Sequence, residues 1–217
     1  MAGFKSVSLA DQVFERLEND IVAGIYPKGE IITEMRLVEQ LGVSRTPIRE
    51  ALRRLEQERL IQETGKGMVV LGITPEELDD IMSIRQRTEE LAVYHAIQNL
   101  TEEGAARLSH ISELQDFYYQ KKDTENLRKM DDDFHEALYE LSGRTVIRDV
   151  LQPLHKKTQR YRKKSIEDTT RLANSLAEHK AILDAVLKKD TKKAMELITI
   201  HITNAKESMI ERLKDEG

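Results

Sequence analysis

The chain carries six histidines, and three of them fall on apolar helical stripes where a side chain is expected to be dry. His179 lies at the centre of Leu172, Leu176, Ile182, Leu183 and Val186, and His201 lies among Leu197, Ile198 and Ala205. His135 borders the stripe Leu127, Met130, Phe134, Leu138 and Leu141. Asp131 precedes His135 by four residues, which stacks the two on one face of a helix. A desolvated imidazole or carboxylate costs free energy unless it finds a partner. One such histidine is ordinarily a satisfied core residue. Three of them, with a carboxylate at ligand spacing, point instead to a divalent cation that could partner all of them. Imidazole and carboxylate donors accept Zn, Ni, Mn or Fe, so the residue types do not choose the metal. His95, His110 and His155 show no such pairing and read as surface or core residues. With no cysteine, a thiolate metal site and a disulfide framework are excluded.

A second group of side chains implies different chemistry. Leu41, Gly42 and Val43 read as a tight turn into a helix that starts at Ser44. The Ser44 hydroxyl suits an N-cap, Val43 and Ile48 suit a hydrophobic staple, and Pro47 falls in the first turn, where its missing N–H costs nothing. Ile48, Ala51, Leu52 and Leu55 give the helix one buried face. Arg45, Arg49 and Arg53 recur every four residues on its flank, with Thr46 beside them and Glu50 the sole acid between Ser44 and Arg54. A helix that presents unpaired arginines from its N-terminal half suits a DNA major groove. The net charge of −5 requires any such interface to be a local basic patch.

Both groups need elements to position them. The first helix is predicted over Leu9 to Ala23, closed by Gly24 and a turn from Tyr26 to Gly29. A β-branched run, Ile31 to Thr33, precedes a second helix from Glu34 to Gln40, on which Glu34 and Glu39 read as solvated charges. The arginine-bearing helix ends near Arg59 and Leu60. Strands Ile61–Thr64 and Met68–Leu71 flank Gly65, Lys66 and Gly67 as a hairpin with Lys66 at its tip. Together these elements predict a winged helix-turn-helix. After a linker from Gly72 to Pro75 no strand signal remains, and six helices fit residues 76–98, 102–122, 124–142, 144–164, 169–188 and 191–213. Pro153 should kink or split the fourth, and the basic run from Lys156 to Lys164 reads as a solvated face. The expected fold is mainly α: a DNA-binding unit over 1–72 and an all-α antiparallel bundle over 73–217. Charged residues at 34%, with no signal peptide or apolar span, lead us to expect a soluble, cytoplasmic protein.

The run from Gly42 to Leu55, with Leu60, Ile61 and the Gly65–Gly67 wing, resembles the GntR family of bacterial transcription regulators. The resemblance implies that Arg45 and Arg49 read base edges, Ser44 and Thr46 hold phosphates, and Lys66 and Gly67 enter the minor groove. Some relatives carry a DNA-contacting arginine directly after the residue matching Glu34; here that residue is Met35. Asp131, Phe134, His135, Glu178, His179 and His201 are similar to the effector domain of the FadR-like branch, the FCD domain. Most of its members bind metal through an aspartate and three histidines. The resemblance implies one divalent metal per chain, a small carboxylate effector completing its coordination, and a homodimeric repressor on a palindromic double-stranded operator. Arg85 either pairs with the effector carboxylate or is tied to Glu89 within its own helix. A purely structural metal is the alternative. A metal hydrolase fits less well, because no acid stands beside the ligands as a general base; the chain reads as a regulator, not an enzyme.

Overall fold

The computed structural model describes residues 8–159, 161 and 169–214. The elements with defined bounds are nine helices and three strands, in two compact units, Met1–Thr74 and Pro75–Gly217.

In the first unit, α1 (Leu9–Val22) opens on a capping box. The Ser8 hydroxyl accepts the Asp11 N–H at 3.0 Å, and the Asp11 carboxylate accepts the Ser8 N–H at 3.2 Å. Thr33 caps α2 (Glu34–Leu41), which ends at Gly42 in the left-handed region, φ 66°. Helix α3 (Arg45–Gln57) follows at once, so α2, the turn and α3 form the helix-turn-helix. The helix stops before the expected Arg59–Leu60 because Arg59 itself turns left-handed, φ 56°. The Leu60 N–H then closes back on the Leu55 carbonyl at 3.0 Å, a helix-terminating pattern. Leu17, Ile32, Leu37, Ile48, Leu52, Leu55 and Ile61 make the core of this unit. Arg54 ties α3 to α1, donating to Asp11 at 2.6 Å with its guanidinium 4.0 Å over the Phe14 ring.

The wing has one strand more than the sequence predicts. β1 (Ile31–Ile32), β2 (Ile61–Thr64) and β3 (Gly67–Val70) form an antiparallel sheet in the order β1-β3-β2. The β-branched run before α2 is therefore an edge strand, pairing Ile31 with Val69. Gly67 stands in register opposite Thr64, so the wing turn is the two residues Gly65 and Lys66. Gly67 has φ 132°, and a Cβ there would lie 2.9 Å from the Ile32 carbonyl oxygen. Only glycine lets the two strands approach so closely.

The second unit is all-α: α4 (Pro75–Gln98), α5 (Glu102–Lys121), α6 (Thr124–Leu141), α7 (Thr145–Lys157), α8 (Thr169–Leu187) and α9 (Thr191–Lys214). Helix α4 packs along α9, where Gln86 donates to Thr203 at 2.7 Å and Lys206 pairs with Asp79 at 2.6 Å. Helix α6 packs on α5, α4 and α7, and α8 on α9 and α5. Pro153 does not split its helix. It lies inside α7, which ends instead at Lys157, where the Thr158 hydroxyl donates to the His155 carbonyl at 2.9 Å. Proline removes one N–H, and the neighbouring hydrogen bonds keep the helix going. Arg160 and residues 162–164 of the basic run lie outside the described residues.

The close β1–β3 approach gives a direct check. Gly67→Ala should destabilise the first unit by about 1–3 kcal/mol, the usual cost of a disfavoured backbone conformation. A denaturation midpoint equal to that of the wild type would contradict this register.

Candidate functional site

Three helices bring three imidazoles together. Helix α6 supplies His135, α8 supplies His179 and α9 supplies His201, each at most 3% exposed. His201 Nε2 lies 3.2 Å from His135 Nε2 and 3.3 Å from His179 Nε2. Asp131 stands at the edge, its Oδ1 3.6 Å from His179 Nε2. Each ring is gripped from behind at Nδ1: His135 by Glu89 of α4 at 2.9 Å, His201 by Glu178 of α8 at 2.7 Å, and His179 by Gln115 of α5 at 2.9 Å.

This arrangement decides where the protons sit. A carboxylate only accepts, so His135 and His201 each give the Nδ1 hydrogen to a glutamate. In the neutral rings both Nε2 atoms then carry lone pairs, and these atoms face each other at 3.2 Å. Burial presses the His179 imidazolium well below its ordinary value, and the neighbouring His201 adds to this. Burial lowers His201 as well, against the pull of Glu178. Two neutral nitrogens in such contact repel unless a cation sits among them, and a divalent metal fits this donor set. His179 differs in one respect. Gln115 Nε2 donates to the Met130 carbonyl at 3.2 Å and also faces His179 Nδ1, so that ring carries its hydrogen on Nε2. For His179 to serve as a ligand through Nε2, the Gln115 amide must turn its oxygen to the ring.

Of the two expectations for Arg85, the structure forms the intrahelical pair. Arg85 is 1% exposed, and its Nε and Nη2 donate to Glu89 Oε1 at 2.9 and 2.6 Å. Its Nη1 donates to the Thr158 hydroxyl at 3.2 Å. Burial opposes charge on both partners, yet each sustains the other. The Glu89 carboxyl stays well below the usual carboxylate range beside Arg85 and His135, and Arg85 stays firmly protonated. Arg85 also lines a pocket with Asp131, His135, Arg171, Ser175 and His201, faced by aliphatic Ile202 and Met209. Its atom-free volume, mouth included, is about 400 Å³.

His155, read from the sequence as a surface or core residue, is buried on α7, and its Nε2 lies 3.0 Å from Asp132 Oδ1. Its ring centre is 5.0 Å from that of His135. The sequence clue was present, since His155 follows the buried Leu151 by four residues. Gln115 carried no such clue, and the sequence showed Glu89 only as a partner for Arg85 four residues away, not for His135. Each lies on a helix whose neighbour only the packing identifies.

On α3, Ser44, Arg45, Thr46 and Arg49 are exposed together. Ser44 is the N-cap residue by backbone, φ −69° and ψ 166°, but its hydroxyl makes none of the expected cap bond. Glu34, expected to be a solvated charge, instead accepts from Arg49 Nε through both oxygens, at 2.8 and 3.0 Å. Arg45 Nη2 lies 3.0 Å from Met35 Sδ. Arg36 turns aside to Glu30, at 2.5 Å. Lys66 is exposed on the wing turn, and Gly67 is half-buried beneath it.

Fold and site together point to a DNA-binding regulator whose second unit is helical and carries the buried histidine cluster. Residues 9–70 match the gntR family of bacterial regulatory proteins, and residues 80–204 match the FCD domain. The chain belongs to the GntR family, in its FCD-bearing branch, and is a transcription regulator rather than an enzyme. The HTH-type regulator YdhC of Bacillus subtilis is 28% identical over 195 residues, 89% of this chain and 87% of its own. The gluconate operon transcriptional repressor of the same species is 27% identical over 198 residues, 88% and 79% of the two chains. The solved structure of E. coli McbR/YncC matches with a TM-score of 0.79 at 25% identity, covering 97% of this chain and 99% of that one. Among the described residues, no helix is long and apolar enough to cross a membrane.

The buried imidazoles fix a pH dependence. Unfolded, His179 and His201 bind protons near pH 6.5; folded, both bind them only at lower pH. Their stability contribution is therefore full above pH 6.5 and is lost as the pH falls below it. Metal-stripped protein should lose about 1.4 kcal/mol per pH unit for each imidazole in that window. Thermal melts independent of pH from 7 to about 5.5 would mean that the imidazoles titrate as hydrated groups.

Proposed function

We propose that the chain is a homodimeric, metal-dependent repressor, released from a palindromic double-stranded operator by a small carboxylate. The observation that carries this reading is the pair of imidazoles whose Nε2 lone pairs converge at 3.2 Å. His135, His179, His201 and Asp131 hold one divalent metal, of the Zn, Ni, Mn or Fe class. The metal supplies a Lewis-acidic centre that a hard oxygen donor can reach from the pocket. Arg85 lines that pocket and, through Glu89, orients His135. Exposed Ile84 and Leu91, two turns apart on one face of α4, offer a surface for a second copy. Relatives named as repressors support the sign of regulation.

In the first unit, Arg45 and Arg49 read base edges, Ser44 and Thr46 hold phosphates, and Lys66 and Gly67 enter the minor groove. Glu34 accepts from Arg49 Nε, which leaves Nη1 and Nη2 as a pair of donors for a guanine edge. The hydroxyl of Ser44, not spent on its own helix, suits a phosphate oxygen.

The metal reading is tested by elemental analysis of native and metal-reconstituted protein, with about one metal per chain expected. A His135→Ala, His201→Ala variant should lose the metal and still bind operator DNA. Metal-free wild type after reconstitution would end this reading. For the DNA face, Arg49→Ala should cost roughly 1–3 kcal/mol at the cognate site. Glu34→Gln should lower cognate affinity while strengthening nonspecific binding, because an acid is removed from the phosphate side. Unchanged sequence preference in both variants would mean that base reading lies elsewhere.

A further inference from the structure

The two arginines of α3 proposed above to read bases are held by adjacent residues of α2, through different chemistry. Glu34 accepts from Arg49 Nε at 2.8 and 3.0 Å, while Arg45 Nη2 donates to Met35 Sδ at 3.0 Å. A carboxylate is a chemically fixed acceptor. A thioether is not: its sulfur accepts weakly as it stands, and oxidation turns it into a polar, chiral sulfoxide.

Position makes Met35 the methionine that an oxidant meets first. It is 52% exposed, whereas Met82 and Met209 are at most 1% exposed and Met130 is 8% exposed. Met68 and Met195 are partly buried. An oxidant reaches sulfur through solvent, so exposure ranks these side chains. The core of the first unit is built from Leu37, Ile48, Leu52 and their buried neighbours, so a polar group at Met35 disturbs no packing there.

We infer that Met35 is an oxidation site that sets the freedom of Arg45, and through it the affinity of the regulator for its operator. The inference rests on the reading of Arg45 as a base-contacting residue. Hypochlorous acid, a two-electron oxidant, supplies the oxygen. The Met35 sulfur loses two electrons, an S–O bond forms, the O–Cl bond breaks, and chloride and a proton leave. The sulfoxide oxygen arises within reach of the guanidinium that already contacts the sulfur. A weak N–H···S contact becomes a charge-assisted N–H···O bond. Arg45 must leave this partner to contact a base edge, so the reduced form releases it at little cost and the oxidised form holds it back. Arg49 keeps its carboxylate partner throughout, so oxidation weakens binding without abolishing it. A methionine sulfoxide reductase removes the oxygen and restores the thioether.

The test uses full-length protein and a duplex that the reduced wild type enriches from a random-sequence pool. Protein is treated with hypochlorous acid at low molar ratio. Oxidation is located by mass spectrometry on the tryptic peptide Gly29–Arg36, whose one methionine is Met35. Each protein is compared with itself before and after treatment. Oxidised wild type should bind the duplex about tenfold more weakly, the scale of one charge-assisted hydrogen bond at an exposed site, and the reductase should restore it. Met35→Leu should show no such loss. Met35→Gln sets an amide oxygen near the place of the sulfoxide oxygen, and should bind more weakly than Met35→Leu with no oxidant present. Arg45→Ala should bind weakly before treatment and no more weakly after it. The inference falls if Met35 resists the oxidant, or if Met35 is fully oxidised and wild-type affinity is unchanged. It falls equally if Met35→Leu loses as much affinity as wild type, which would place the sensitive residue elsewhere. Weak binding by Arg45→Ala, with an oxidation loss as large as that of wild type, overturns the inference and leaves the reading of Arg45 standing. If untreated Arg45→Ala binds as wild type does, that reading falls and takes the inference with it.

Discussion

Two imidazole nitrogens held lone pair to lone pair are the constraint around which the helical unit is built. Left to themselves, His135 and His201 would rotate or hydrate to avoid the contact. They cannot, because Glu89 and Glu178 take their Nδ1 hydrogens from behind. The glutamates are in turn fixed by Arg85 and Arg171. The polar groups involved sit where a charge is costly, so each is tolerated only because the next neutralises it. The result is a chain of mutual dependence that runs through α4, α6, α8 and α9. The site exists only when those four helices are packed, so the proposed cation binding would be tied to folding.

The same chain explains a difference in plasticity between its two halves. The α4 half is dry and multiply bonded, so it behaves as framework. The α8 half is partly wetted, with the Arg171 and Glu178 side chains 13% and 16% exposed.

In the DNA-reading unit the exposed arginines are also managed by neighbours rather than left to solvent. Glu34 holds Arg49 by one edge, Met35 lies under Arg45, and Asp11 with Phe14 holds Arg54 against α1. Long side chains lose less freedom on binding when they are already ordered, so α2 serves as a rack for the arginines of α3. Met35 suits this use, since a thioether contacts a guanidinium without competing for its charge.

Much of this was legible from sequence alone. Helical periodicity placed His135, His179 and His201 on inward faces, and capping signals at Thr101, Asp123 and Thr191 placed the helix junctions to within a residue or two. The glycine-flanked hairpin and the arginine-bearing helix announced the winged helix-turn-helix. These features are local, and local rules of spacing, capping and turn chemistry govern them. The remainder required tertiary structure. Glu89 lies 46 residues from the histidine it orients, and Gln115 lies 64 residues from the histidine it faces. The pairing of Ile31 with Val69, of Glu34 with Arg49 and of His155 with Asp132 likewise crosses between elements. Periodicity states that a residue faces inward. Which partner waits there depends on the angle and register at which helices pack, and these are set by the whole core at once.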